Sequence, residues 1–389
     1  MATLRLPLHD GTLAPYTLRT ATPWPVPAVK PTFNRVAYSA AHVVADPLAR
    51  VDPFVDAALD WDATLAYRRH LFALGLGVAE AMDTAQRGMG LDWATSLALI
   101  ERSDDAASDI PGALIACGAG TDHHDAAQAR TIDDVIAAYE HQCAAVERAG
   151  GRVILMASRA LARVAQSADD YVRVYGTILA QIREPVILHW LGDMFDPALA
   201  GYWGHRDLDR ATAVCLDVIR GNAGKIDGIK VSLLDDAREI ALRGRLPPGV
   251  RMYTGDDFNF AALIGGDGED HSDALLGIFD AVAPAASAAL SALAQGDRAT
   301  FDRILAPTVP LSRHIFAAPT RFYKTGVVFM AWLNGHQSHF TMVGGQESAR
   351  SLVHLAQVFR LADAAGLLRD PDLATARMRT LLAVHGVEA

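Results

Sequence analysis

The first residue to suggest chemistry is a lysine inside an apolar run, Lys225-Ile226-Asp227-Gly228-Ile229-Lys230-Val231-Ser232-Leu233-Leu234. A charge in a buried strand is costly unless it is paired, snorkels to water or is neutralised. The sequence has four lysines, Lys30, Lys225, Lys230 and Lys324, and otherwise carries its positive charge on arginine. A desolvated lysine has a depressed pKa, and its free amine can attack a carbonyl carbon. The alternative is a lysine at a strand end with its ammonium in water.

Other polar groups close the apolar runs. They are His42 after the first, Glu80, Asp83, Thr84, Gln86 and Arg87 after the second, and Thr121 to His124 after the third. His189 and Asp193 follow a fifth, Gly255, Asp256 and Asp257 a seventh, and His271 lies just beyond. His189 suits general acid–base work near neutral pH, or is simply hydrogen-bonded where it stands. Asp256 and Asp257 suit hydroxyl recognition, or cap the helix that starts at Phe258.

These residues need a frame that gathers them. Strand-like runs occur at Arg35–His42, Gly77–Met82, Gly112–Cys117, Arg152–Met156, Pro185–Trp190, Gly228–Leu233, Arg251–Tyr253 and Ala274–Ile278. Segments of helical period fall between them. Alternation at this spacing predicts a parallel sheet, and eight such units suit a (β/α)8 TIM barrel, whose function sits at the carboxyl ends of its strands. A doubly wound sheet is disfavoured because no GxGxxG follows the first run. We expect an N-terminal β-hairpin and extended lead-in over 1–32, the barrel over 33–283 and a C-terminal helical extension over 284–389.

The segments Gly228-Ile229-Lys230, Gly255-Asp256-Asp257 and Gly266-Asp267-Gly268, in this order and with a helical C-terminal region carrying Phe322-Tyr323-Lys324, resemble the dihydrodipicolinate synthase / N-acetylneuraminate lyase superfamily of class I aldolases. The resemblance is to a divergent branch and covers about residues 33 to 365. It implies a Schiff-base lysine at Lys230, a homodimer or homotetramer, and no cofactor. Departures are visible. Where the family has a proton-relaying tyrosine at the fifth strand, this chain has His189-Trp190. Where it has a Gly-Thr-Thr-Gly-Glu loop for a keto-acid carboxylate, this chain has Asp83-Thr84-Ala85-Gln86-Arg87. An added aspartate repels a substrate carboxylate. The arginine that often follows the fifth strand is also missing from Leu191-Gly192-Asp193-Met194.

The expectation is therefore a lyase acting on a keto-sugar or related polyhydroxy carbonyl compound rather than on pyruvate. Lys230 would form the imine and His189 would carry protons. His42, Asp83, Thr84, Gln86, Asp193, Gly255, Asp256 and Asp257 would hold the substrate. The aromatic stretch Leu191–Arg206, with Phe195, Tyr202, Trp203 and His205, reads as a lid or as a subunit contact.

Two other readings compete. A divalent-metal-dependent barrel could draw ligands from His42, Glu80, Asp83, His123, His124, His189, Asp193, His205, Asp256 and His271, although no HxH or HExxH spacing is present. It predicts loss of activity to chelators and tolerance of Lys230→Ala, the reverse of the aldolase pattern. A non-catalytic sugar-binding barrel predicts ligand-induced stabilisation without product.

Composition sets the class. A net charge of −10 argues against nucleic-acid and anionic-membrane partners. No run reaches the roughly 20 apolar residues of a membrane span, and the first residues lack a basic segment followed by an apolar one. Cys117, Cys143 and Cys215 are scattered in apolar segments without CxxC spacing, so free buried thiols in a reducing cytoplasm are expected, with no cysteine metal site.

Overall fold

The computed structural model describes residues 3–19, 24–268 and 270–388. Met1, Ala2, residues 20–23 of the expected lead-in, Glu269 and Ala389 lie outside them. Eight parallel strands close a barrel: β3 (Ala37–Ala40), β4 (Gly77–Glu80), β5 (Ile115–Ala119), β6 (Arg152–Leu155), β7 (Val186–Leu191), β8 (Ile226–Ser232), β9 (Arg251–Thr254) and β10 (Asp273–Leu276), with β10 pairing back to β3. They are the eight apolar runs of the sequence, with shifted ends. The largest shift is at β5, because Gly112 takes a left-handed turn (φ +66°) and the strand starts only at Ile115.

Period-two alternation decides which side chains face the axis. Tyr38, Ala40, Ala79, Ala116, Ile154, Ile187, Tyr253 and Leu275 fill the barrel interior. On β7 and β8 the same alternation turns His189 and Lys230 inward, two residues beyond Ile187 and Gly228. It sends Leu188, Trp190, Ile229 and Val231 out to the helix layer. Helices α1 (Trp61–Ala73), α2 (Trp93–Ser108), α3 (Ile132–Ala149), α4 (Arg159–Val164), α5 (Ala168–Gln181), α6 (Leu208–Gly221), α7 (Asp236–Arg243) and α8 (Phe260–Gly265) surround the strands. Several begin on side-chain caps, Asp60, Asp92, Thr131 and Asp207. Helix α4 is too short for its period to be read, and rests on the Ser158 cap and the buried Ala160 and Leu161.

The C-terminal region comprises α9 (Ile278–Ala281), α10 (Ala283–Ala294), α11 (Arg298–Leu305), α12 (Thr308–Ile315), α13 (Tyr323–Leu333), α14 (Leu352–Ala364) and α15 (Pro371–Val384). All side chains of α13 are buried. The N-terminal hairpin, β1 (Thr3–Pro7) and β2 (Leu13–Thr17), packs on α14, where the Tyr16 hydroxyl donates to Asp363 at 2.6 Å. No helix among the described residues is long and apolar enough to cross a membrane. All three cysteines are free and buried.

Two buried acids in the helix layer illustrate different solutions. Glu80, a candidate metal ligand in sequence, is held by the Arg68 fork at 2.9 Å through both oxygens, and also accepts from Ser103. Among the described residues, Glu239 on α7 accepts only from the hydroxyls of Thr254 and Ser272, and burial pushes its pKa up to about 8. It stays protonated at neutral pH, so it stabilises the fold fully below the ordinary carboxyl pKa. That contribution is lost as pH rises through about 8. Glu239→Gln is expected to remove this alkaline loss, on the order of 2 kcal/mol by pH 9. Urea unfolding from pH 6 to 9 checks it, and parallel stability curves for variant and wild type would contradict it.

Candidate active site

Lys230 and His189 are direct neighbours in the β7–β8 ladder, both pointing into the mouth. Lys230 is 7% exposed, and burial lowers the pKa of its amine. Asp83 and Asp257 act against that from a distance, but neither closes an ion pair with it. Gly255 at the end of β9 is required by close approach. A Cβ there would lie 2.8 Å from Lys230 Cε and 2.3 Å from Ser232 Oγ. The lysine stem therefore lies along a strand end that has no side chain.

Asp257 follows two residues later and is 4% exposed. One oxygen accepts from the Ile278 N–H at 2.8 Å, and burial raises its pKa to about 7. Beside an amine, a carboxyl that titrates near neutrality can both give and take a proton. His189 differs: burial and the charge of Lys230 push it well below the usual imidazole range. Its Nε2 lies 3.4 Å from Ser232 Oγ, and its Nδ1 has no partner among the described residues.

The turn after β4 brings the next groups. Asp83, Thr84 and Ala85 form a single 3-10 turn, closed by Gln86 in a left-handed conformation (φ 65°). The Gln86 amide donates to the Val343 carbonyl at 2.7 Å, tying the turn to the C-terminal region. Thr84 Oγ1 and the Tyr323 hydroxyl are 2.8 Å apart. Phe316 stacks on the Tyr323 ring at 4.2 Å, and Phe195 meets it edge-on at 6.1 Å. Gly277 makes room for this group, since a Cβ would lie 3.1 Å from both rings and 3.3 Å from Thr84 Oγ1. Burial holds the Tyr323 phenol protonated, well above its ordinary pKa. Next in sequence, Lys324 is 4% exposed, and burial lowers its pKa to about 8.

A chamber of about 220 Å³ opens on the β4–β7 side, lined in part by Asp83, Arg87, Thr121, His124, Arg159 and Asp196. Its two arginines already have carboxylate partners, Arg87 with Asp122 at 2.6 Å and Arg159 with Asp196 at 2.5 Å.

The sequence candidates thus divide. Lys230, His189, Asp83, Thr84, Gly255 and Asp257 converge on the mouth, and Gln86 braces it. Asp256 caps the following turn, accepting from the Phe258 and Asn259 amides and from the Asn259 side chain. His42 is fully buried, with Nδ1 2.8 Å from Asp280. Asp193 is exposed.

The aromatic stretch does not form a lid. Tyr202 and Trp203 are 3% and 0% exposed and pack with Tyr171, Tyr175 and Trp190 in the helix layer. Left-handed Gly201 and Gly204 fold them inward. Only Phe195 reaches the mouth. Among the described residues no group of three His, Cys, Asp or Glu side chains is placed to hold a metal ion.

Tyr323, Lys324 and Asp280 were not picked out as site residues from the sequence. Asp280 and Lys324 each interrupt an apolar run, the same signal that marks Lys230. Tyr323 carries no such signal, because an aromatic residue beside a buried helix reads as core.

Over residues 4–387 the chain matches the family described as Protein of unknown function (DUF993). No curated protein matches it. Solved structures share its fold. Dihydrodipicolinate synthase from Aquifex aeolicus has a TM-score of 0.60 at 11% identity, covering 91% of this chain and 99% of that one. Dihydrodipicolinate synthase from Bacteroides thetaiotaomicron has 0.62 at 14%, covering 85% and 99%. A prophage protein of the dihydrodipicolinic acid synthase family from E. coli K12, in complex with pyruvate, has 0.59 at 14%, covering 92% and 100%.

Proposed function

We infer the function of this chain, which belongs to the DUF993 family and has the dihydrodipicolinate synthase fold, from its own barrel mouth: it is a Schiff-base lyase acting on a neutral polyhydroxy ketone. The observation that carries this is Lys230, an inward-facing, desolvated amine with no ion-pair partner among the described residues, in the field of a carboxyl whose pKa is about 7.

The amine attacks the substrate carbonyl carbon and a C–N bond forms. The oxygen takes up protons and leaves as water, giving the imine. Once protonated, the imine accepts the electron pair of the Cα–Cβ bond as that bond breaks, or of a Cα–H bond whose proton is removed, after which the enamine expels a protonated β-hydroxyl as water. Asp257 is placed to supply and recover the protons, and the Thr84–Tyr323 pair is placed to carry one to or from the departing oxygen. His189 stays neutral and serves as an acceptor near the imine.

The neutral substrate follows from charge. Asp83 stands in the wall, and both chamber arginines have carboxylate partners, so neither arginine is free for a keto-acid carboxylate. A homodimer or homotetramer in the cytoplasm remains the expected setting.

The test is borohydride trapping of the wild-type protein with pyruvate and a panel of keto-sugars, followed by peptide mass spectrometry. A reduced adduct on the Lys230 peptide from a keto-sugar supports the reading. No adduct from any compound on folded protein overturns it, and an adduct from pyruvate alone overturns the substrate class.

A further inference from the structure

We propose that Asp83 and Lys324 clamp a hydroxyl on the carbon next to the carbonyl that Lys230 attacks, which makes the substrate an α-hydroxy ketone. This rests on the Schiff-base reading and adds the substrate feature that the site selects.

The clamp is built by the contact between Thr84 and Tyr323. Their 2.8 Å hydrogen bond joins the turn after β4 to the start of α13. Asp83 precedes the threonine and Lys324 follows the tyrosine, so the bond brings an acid and a base to the same edge of the mouth. The two do not close an ion pair. Lys324 donates to the Arg321 carbonyl at 3.0 Å and to Met89 sulfur at 3.3 Å. An ammonium has three hydrogens, so a third remains for a ligand, with the Tyr323 ring centre 4.7 Å from the nitrogen. The Asp83 carboxylate accepts no hydrogen bond from the described residues and lines the chamber. The clamp shares a rim with the reactive amine: Gly277 touches both Thr84 and Tyr323, the next N–H, of Ile278, donates to Asp257, and two residues before Asp257 lies Gly255, against Lys230 Cε.

The group that fits between must accept from Lys324 and donate to Asp83. A hydroxyl does both and carries no charge. A substrate carboxylate would face Asp83 and an ammonium would face two lysines, each an unfavourable like-charge contact. A bare methyl would leave buried polar groups unpaired, and sites built for a hydroxyl discriminate strongly against analogues that lack it. Because the clamp and the Lys230 amine share this rim, the clamped hydroxyl lies close to the imine carbon. The rest of a short polyhydroxy chain has room in the 220 Å³ chamber; a cavity of about 150 Å³ already admits benzene.

The experiment compares acetone, hydroxyacetone and pyruvate in borohydride labelling of Lys230 on the full chain. Hydroxyacetone is expected to label at least about tenfold faster than either of the others. That ratio to acetone should fall towards one in Asp83→Asn and in Lys324→Met, with folding checked by circular dichroism. Equal rates for acetone and hydroxyacetone, or a ratio unchanged in both variants, overturn the clamp. Ligand-observed NMR on Lys230→Met, which can form no imine, keeps the two readings apart. A preference for hydroxyacetone over acetone there, lost on adding Asp83→Asn, supports the clamp even if no imine forms. No preference overturns it whatever happens at Lys230.

Discussion

Lys230→Ala is expected to abolish carbonyl-dependent borohydride labelling and to cut turnover by three orders of magnitude or more, about 4 kcal/mol of barrier. The other amine at the mouth, Lys324, is engaged by the Arg321 carbonyl and the Met89 sulfur, so it is not expected to replace Lys230. Lys230→Arg is the sharper variant. Guanidinium keeps a positive charge but, with a pKa above about 12, offers no free amine at neutral pH. Charge alone is therefore not enough, and Arg should be as inactive as Ala. The side chain is flanked by Gly255 and Ser232, so the Ala variant leaves a small cavity and should remain folded. Thermal unfolding within a few degrees of wild type establishes that. A folded Lys230→Arg protein with unchanged turnover would remove the Schiff-base mechanism altogether.

Tyr323→Phe should lower turnover by roughly 10²–10⁴-fold, the usual range for removing a positioned acid–base group. The substitution deletes one oxygen and keeps the ring, so the Phe316 stack at 4.2 Å and the edge contact with Phe195 survive. What is lost is the hydroxyl bonded to Thr84. Imine formation needs Lys230 and a proton donor at the carbonyl oxygen, a part Asp257 can fill. Labelling should therefore slow much less than turnover. A parallel fall in both would place the phenol at imine formation instead. Unchanged turnover would make the Thr84–Tyr323 pair a structural brace.

The barrel was readable because each strand is an apolar run buried on both faces, and because a charge within such a run stands out. Lys230 and His189 could be assigned to one another's vicinity as soon as β7 and β8 were adjacent, since period-two alternation turns both inward. The division between Asp256 and Asp257 was not readable. Consecutive aspartates look alike in sequence, and only the turn decides which one caps Phe258 and which one faces the amine. The aromatic loop misled for a related reason. Tyr202 and Trp203 fit a lid by composition, yet left-handed glycines on either side return them to the core. The Thr84–Tyr323 contact joins positions 239 residues apart, beyond any local pattern.

The hairpin at the start of the chain has a consequence for the order of assembly. Its Tyr16 waits for Asp363, 347 residues later. At about 5–20 residues per second, a ribosome needs roughly 20 to 70 s to make that interval. A two-stranded hairpin alone is marginal in water. This early-made segment is thus among the last to dock, and it docks on the helical layer that also delivers Tyr323 and Lys324. A nascent chain can hold a nearly complete barrel and still lack both its seal and its chemistry. On the proposed mechanism, no active, half-made form would arise during synthesis.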